Sequence, residues 1–355
     1  MKDLKTVCVL GHFAEGKTLL NGQTIKTKIV TEELQRQFGE SDVVKIDTHG
    51  GWKTLLKAPF QAFRALKKAE NVIIFPAHNG VRIYVPLLAL FRKLFRGRKL
   101  HYSVIGGWLP EFLESHKRLV KRLRAFDGIY VETEMMKKKL EEQGLKNVSV
   151  IPNCKKLEIL DAGKVKTTEN PPYRVCTFSR VMKEKGIEDA MNAVSSINNK
   201  NGSHVFLLDI YGQIDADQTE WFDALKKSFP EYIRYNGLVA FDKSVEVLSE
   251  YDALLFPTYY EGEGFAGTII DAFASGVPVI ASDWRYNSEL VKPYTTGILV
   301  KCKDPDELVS ALQYLCENID KWNEMKQECI KEADRYLPEN ALKELLVKIK
   351  DGERK

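Results

Sequence analysis

Leu254–Glu289 reads LLFPTYYEGEGFAGTIIDAFASGVPVIASDWRYNSE, and its alternation decides the fold. Leu254, Leu255 and Phe256 form a short apolar run stopped by Pro257, as in a strand buried on both faces of a parallel sheet. A loop with Gly262, Gly264 and Gly267 follows. Ile269, Ile270, Ala272, Phe273 and Ala274 then mark a helix that ends at Gly276, with Pro278 behind it. Val279–Ala281 is the next strand. A glycine loop feeding a helix leaves backbone N–H groups free at the positive end of the dipole, which suits an anion. Glu263 and Asp271 add two carboxylates, which serve sugar hydroxyls better than phosphate. The ligand implied is part phosphate and part polyol.

The same alternation runs outward in both directions. Strands are expected at Thr6–Leu10, Asp42–Asp47, Asn71–Phe75, Leu100–Ile105, Gly128–Val131 and Val148–Ile151. Helices are expected between them: 24–38, a basic helix over 52–69, 83–94, 114–125 and 135–143. Lys155–Pro172 is polar and aperiodic and reads as a domain boundary. The pattern then restarts with strands at Arg174–Phe178, Val205–Tyr211 and Ile233–Tyr235, and a late strand at Gly297–Val300. Strands alternating with helices indicate parallel sheets covered on both faces. The expected domains are 1–160 and 161–337, with a C-terminal helix from residue 338 packing back on the first.

The 355 residues allow two domains, and 44% hydrophobic with 29% charged residues is a globular composition. The short polar start and the lack of any apolar run near the ~20 residues of a spanning helix imply a cytoplasmic protein. Six scattered cysteines with no CxxC pair read as reduced thiols. Residues 1–150 hold 27 Lys and Arg against 15 Asp and Glu, while the remainder holds 26 against 34. The first half therefore calls for an anionic surface or partner.

Three further motifs bear on chemistry. Gly11-His12-Phe13-Ala14-Glu15-Gly16-Lys17-Thr18 fits the P-loop pattern after a strand, which keeps a P-loop NTPase or kinase as an alternative. Asn21-Gly22 would break the helix that a P-loop needs, so the competing reading is a long loop whose backbone approaches a ligand. In Ser179–Gly186, Arg180 and Lys185 bracket a strand-to-helix turn and suit a diphosphate. Asp215-Ala216-Asp217 resembles a metal–nucleotide triplet, but no further ligands stand near it, and no metal is expected.

Glu263–Ser282 resembles the E-x7-E region of retaining GT-B glycosyltransferases of family 4, the glycosyl transferases group 1. Ser179–Ala190 is similar to that family's phosphate loop, and the resemblance covers most of residues 128–320. NGQTIKT and HYSVIGGWLPEFL in the first half are similar to bacterial capsule and exopolysaccharide members. The resemblance implies an α/β GT-B fold, two Rossmann-like doubly wound parallel-sheet domains facing a central cleft. It implies sugar transfer with retention from a nucleotide sugar, a UDP-sugar favoured, to a saccharide or lipid-linked saccharide. The nucleotide sugar is a co-substrate, and no cofactor is implied.

By position, the resemblance implies that Arg180 and Lys185 hold the donor diphosphate and that Glu263 contacts the donor sugar. Gly264, Phe265, Ala266 and Gly267 line the sugar and phosphate, Asp271 takes the ribose, and Gly22 approaches from the first half. Ala266 replaces a family glycine and is expected to limit backbone freedom, and Asp271 replaces a longer Glu. His78 is the first-half candidate for a place near the donor sugar. A non-catalytic GT-B binding module remains a second alternative, since fold does not fix function.

Between His49 and Pro110 there are 11 Lys and Arg and a single acid, Glu70, interleaved with Trp52, Leu55, Leu56, Phe60 and Phe63. Leu88, Phe91, Leu94 and Phe95 repeat the theme. Core packing explains apolar faces but not missing acids, so peripheral contact with an anionic membrane is expected, on the inner face of the plasma membrane. No nucleic-acid motif accompanies this charge.

Overall fold

The computed structural model describes residues 4–16, 22–50, 54 and 56–350. The chain divides into two compact units, residues 1–156 with 337–355, and residues 157–336. Unit 1 runs β1 (Lys5–Gly11), α1 (Gly22–Phe38), β2 (Val43–Asp47), α2 (Ala58–Lys68), β3 (Ala69–Ile74) and α3 (His78–Phe91). It continues with β4 (Lys99–Ser103), α4 (Leu109–Glu114), α5 (Lys117–Leu123), β5 (Gly128–Val131), α6 (Glu134–Glu142) and β6 (Val148–Val150). Its strands lie in the order β2-β1-β3-β4-β5-β6, all paired in parallel.

Unit 2 runs β7 (Tyr173–Phe178), α7 (Ile187–Asn201), β8 (Phe206–Tyr211), α8 (Thr219–Lys226), β9 (Ile233–Gly237) and α9 (Ser244–Leu248). Then come β10 (Ala253–Phe256), α10 (Gly267–Ala274), β11 (Val279–Ser282), α11 (Asn287–Leu290), β12 (Gly297–Val300), α12 (Pro305–Glu317) and α13 (Ile319–Ala333). The order β12-β11-β10-β7-β8-β9, again parallel, reverses direction between β7 and β10. β10 shows why its sequence is apolar throughout: Ala253 and Leu255 enter one core layer, Leu254 and Phe256 the other.

The chain then returns to unit 1 through α14 (Pro338–Ala341) and α15 (Lys343–Lys350). Leu342, Leu345 and Ile349 pack with Val7, Ile29, Val30 and Leu34 in one buried cluster. The expected helix over 114–125 appears as α5, and an unexpected short helix, α4, precedes it across Ser115–His116. The stretch read as a polar boundary is strapped to unit 2. Leu160 N donates to Ala274 O at 2.8 Å, and Thr168 exchanges two hydrogen bonds with Asn323 at 2.8 and 2.9 Å. The expected basic helix begins, as a continuous element, only at Ala58; Trp52, Lys53 and Leu55 lie outside the described residues. No helix of the described residues is long and apolar enough to cross a membrane.

Candidate functional site

In a doubly wound sheet, the connections on either side of a reversal leave in opposite directions and open a crevice at the carboxyl ends of the strands. In unit 2 that reversal lies between β7 and β10. Two loops meet there, 179–186 after β7 and 257–266 after β10. They are tied by backbone: Tyr259 N and Thr258 Oγ1 both reach Glu184 O, at 2.8 and 3.2 Å. Gly186 holds φ +71°, and a Cβ there would collide with Pro257 O, so only glycine lets the loops come this close.

This juncture brings Lys185 onto Glu263. The ammonium donates to Glu263 Oε2, and both side chains are about 10% exposed. Thr258 Oγ1 lies 2.9 Å from the same carboxylate oxygen. The Phe256 and Tyr260 rings flank the ammonium at 5.3 and 5.1 Å. Four residues on, α10 starts at Gly267 behind Ala266, and no side chain caps it. Thr268 Oγ1 in its first turn is buried without a hydrogen-bond partner among the described residues. An uncapped helix start beside a buried unpaired hydroxyl and a fixed ammonium suits an anion with further oxygen ligands. Ala266 sits at φ −70°, a conformation open to any L-residue, so the loop as built does not require glycine there.

The other residues read from sequence lie at varied distances from this centre. Arg180 follows β7 and points to Asp215, with Nη1 3.2 Å from Oδ2, and its side chain is 56% exposed. Asp215 also accepts from Asp217 N at 3.1 Å, so the Asp-Ala-Asp triplet caps a turn and holds an arginine. Among the described residues no three His, Cys, Asp or Glu form a group that could hold a metal. Gly264 and Phe265 are half-buried in the loop, and the Phe265 ring packs edge-on against Tyr336. Asp271, in the second turn of α10, is 4% exposed and is not without a protein partner.

In unit 1 the reversal lies between β1 and β3. Gly22 is the exposed first residue of α1, with open space where a Cβ would stand. His78 is the first residue of α3, stacked on Trp108 at 3.9 Å with Phe112 edge-on at 5.4 Å. Partial burial and the nearby Arg82 lower its pKa, which favours the neutral ring. Gln23 Nε2 donates to Phe75 O at 2.8 Å and ties the start of α1 to the end of β3.

The P-loop reading fares poorly on geometry. Asp47 Oδ1 accepts from Phe13 N at 3.0 Å and Oδ2 from Glu15 N at 3.1 Å, so amides that a phosphate would need are already taken. Burial opposes the Asp47 charge, but these donors and His49 N outweigh it and hold its pKa below the ordinary value. Lys17 and Thr18, and so the place where a P-loop would open its helix, lie outside the described residues.

Sequence reasoning missed Thr258 and the His12–His49 pair. His12 Nε2 lies 2.8 Å from His49 Nδ1, and His12 Nδ1 is 2.8 Å from Thr24 Oγ1. Each histidine follows the end of a strand, but only the adjacency of β1 and β2 brings them together. Burial first, then His49, lowers the His12 pKa against the pull of Asp47.

Comparison with known proteins finds partial matches. Residues 172–318 match the family described as Glycosyl transferases group 1. An uncharacterised glycosyltransferase of Methanocaldococcus jannaschii is 24% identical over 182 residues, 50% of this chain and 43% of that protein. The GtfA subunit of the UDP-N-acetylglucosamine–peptide N-acetylglucosaminyltransferase of Streptococcus agalactiae is 27% identical over 186 residues, 51% of this chain and 35% of that one. The chain thus spans less than half the length of these two curated relatives. Among solved structures, the Anabaena protein HepE in complex with UDP superposes with a TM-score of 0.71 at 15% identity, covering 98% of this chain and 100% of that one. The fold is therefore GT-B, with two parallel six-stranded α/β sheets, and the matches support the glycosyltransferase superfamily.

Proposed function

We propose that this chain transfers a sugar from a nucleoside-diphosphate sugar to a saccharide hydroxyl, with retention at the anomeric carbon. The observation that carries this reading is the enclosed Lys185–Glu263 pair beside the uncapped start of α10, at the sheet reversal of unit 2. Lys185, the α10 amides and Thr268 take the diphosphate, and Arg180 swings from Asp215 onto it. Glu263 and the Gly264–Gly267 backbone meet the sugar, and Asp271 the ribose. Attack and departure occur on one face of the sugar. Rate enhancement comes from positioning and from cations and dipoles stabilising the departing diphosphate. No metal is required by this scheme, and activity should survive a chelator. A UDP-sugar donor is favoured because the streptococcal relative is named for UDP-N-acetylglucosamine and HepE was solved with UDP.

A thermal-shift panel of UDP-, GDP-, dTDP- and ADP-sugars tests donor binding, since a ligand specific to the folded state raises its melting temperature. Transfer by Lys185→Ala and Arg180→Ala should fall by at least about a hundredfold, the scale of losing one electrostatic stabiliser. Unchanged turnover in both variants would sink the site. Binding without transfer to any saccharide would favour the non-catalytic module instead.

A further inference from the structure

The two faces of the unit 1 sheet differ in chemistry. The chain steps from β1 to β2 in one direction and from β2 through β6 in the other. With right-handed crossovers this puts α1 on one face and the later helices on the opposite one. There α2 packs beside α3, and α3 beside α5. These neighbours carry three, one and four Lys or Arg respectively, and no Asp or Glu.

Apolar side chains stand among these charges. Of the ten most exposed large hydrophobics among the described residues, five lie between Leu56 and Leu94. Leu56 is 72% exposed, Phe60 67%, Leu90 52% and Leu94 71%. Phe63 joins the helices, its ring meeting Phe91 at 6.0 Å and Phe95 at 5.1 Å. On α2, Phe60, Phe63, Arg64 and Lys67 share one helical stripe, while Ala58, Ala62, Ala65 and Leu66 are buried. The charge is therefore laid around the apolar patch, not apart from it.

We propose that this face docks on an anionic lipid bilayer, with the Phe60, Phe63, Leu90 and Leu94 side chains among the acyl chains and the lysines and arginines at the headgroups. A protein interface is usually depleted in lysine, whereas an interfacial helix combines basic residues with Phe and Leu. Leu offers no stacking surface for nucleic-acid bases. The inference goes beyond the proposed transfer and does not depend on it. An acceptor carried in the same membrane would be held beside unit 1.

Co-sedimentation of the full chain with vesicles tests it, without any sugar donor. Binding is expected to phosphatidylglycerol–phosphatidylcholine vesicles and not to phosphatidylcholine alone, and it should weaken as salt rises. Phe60→Ser with Leu94→Ser, and separately Arg64→Glu with Lys67→Glu, should each weaken binding by roughly tenfold or more. All four side chains are exposed, so melting temperatures should stay as in the parent chain. Absence of binding to the anionic vesicles overturns the proposal. So does binding that both double variants leave intact. A dimer that Phe60→Ser dissociates, with no vesicle binding, would assign the face to a second copy and likewise overturn it.

Discussion

Lys26 and Glu132 are each about 3% exposed and meet at 2.5 Å, with Lys26 also donating to Val104 O at 3.2 Å. Gly106 N donates to the other carboxylate oxygen at 3.2 Å, so the pair binds the start of α1 to the ends of β4 and β5. Removing one partner strands a buried charge. Lys26→Met should cost about 3–5 kcal/mol in urea unfolding, and adding Glu132→Leu should restore much of it. A second buried group sets a pH dependence. As a neutral ring, His101 donates from Nε2 to Asn71 Oδ1 at 3.2 Å and accepts at Nδ1 from Tyr130 at 2.9 Å. Burial, aided by Lys99, Lys348 and Arg92, pushes its pKa from 6.5 to about 3. Between those values the unfolded chain binds the extra proton. Stability should thus be full above the higher value and fall with acidification, by up to about 1.4 kcal/mol per pH unit from this group. His101→Gln should flatten that part of the stability–pH curve, measured by denaturant titration at several pH values.

The strap over residues 157–172 carries its own prediction at the level of elements. Thr168 Oγ1 donates to Asp252 Oδ1 at 2.6 Å and lies 3.2 Å from the buried Lys326 ammonium, while Asp252 also accepts from Arg174 N. Thr168→Val deprives two charged groups of a partner and should destabilise unit 2 by about 1–3 kcal/mol, read as a lower thermal midpoint. This strap shows where sequence reasoning stops. Strands such as Leu254–Phe256 are legible because every residue must be apolar when both sheet faces are covered. Thr168 has no such signature, because its worth lies in Asn323 and Lys326, some 155 residues on. α13 does carry a helical stripe, Trp322, Met325, Cys329 and Ala333, but it is sparse among charges and passed unread. The site divides in the same way. Lys185 and Glu263 are visible as charges in strand-end loops, yet their pairing across 78 residues follows from sheet order alone.

For the molecule as a whole, the return of α14 and α15 to unit 1 matters most. Ending the chain at Tyr336 would bare Val30, Leu34 and their neighbours. Such a truncation should lower the calorimetric transition of unit 1 and leave any transition that responds to nucleotide sugar in place. Losing two or three fully buried Leu or Ile side chains amounts to about 5 kcal/mol, a large share of a domain's stability. The arrangement also orders events on the ribosome. Unit 2 is one continuous stretch of chain set inside a unit that it interrupts. It can close while the polypeptide is still growing. Unit 1, begun first, must wait roughly 10–40 s at ordinary elongation rates for its last two helices, with the α1 side of its sheet uncovered. Of the two units, the first to be synthesised is the last to be finished, and during that interval it is the one a chaperone would need to guard.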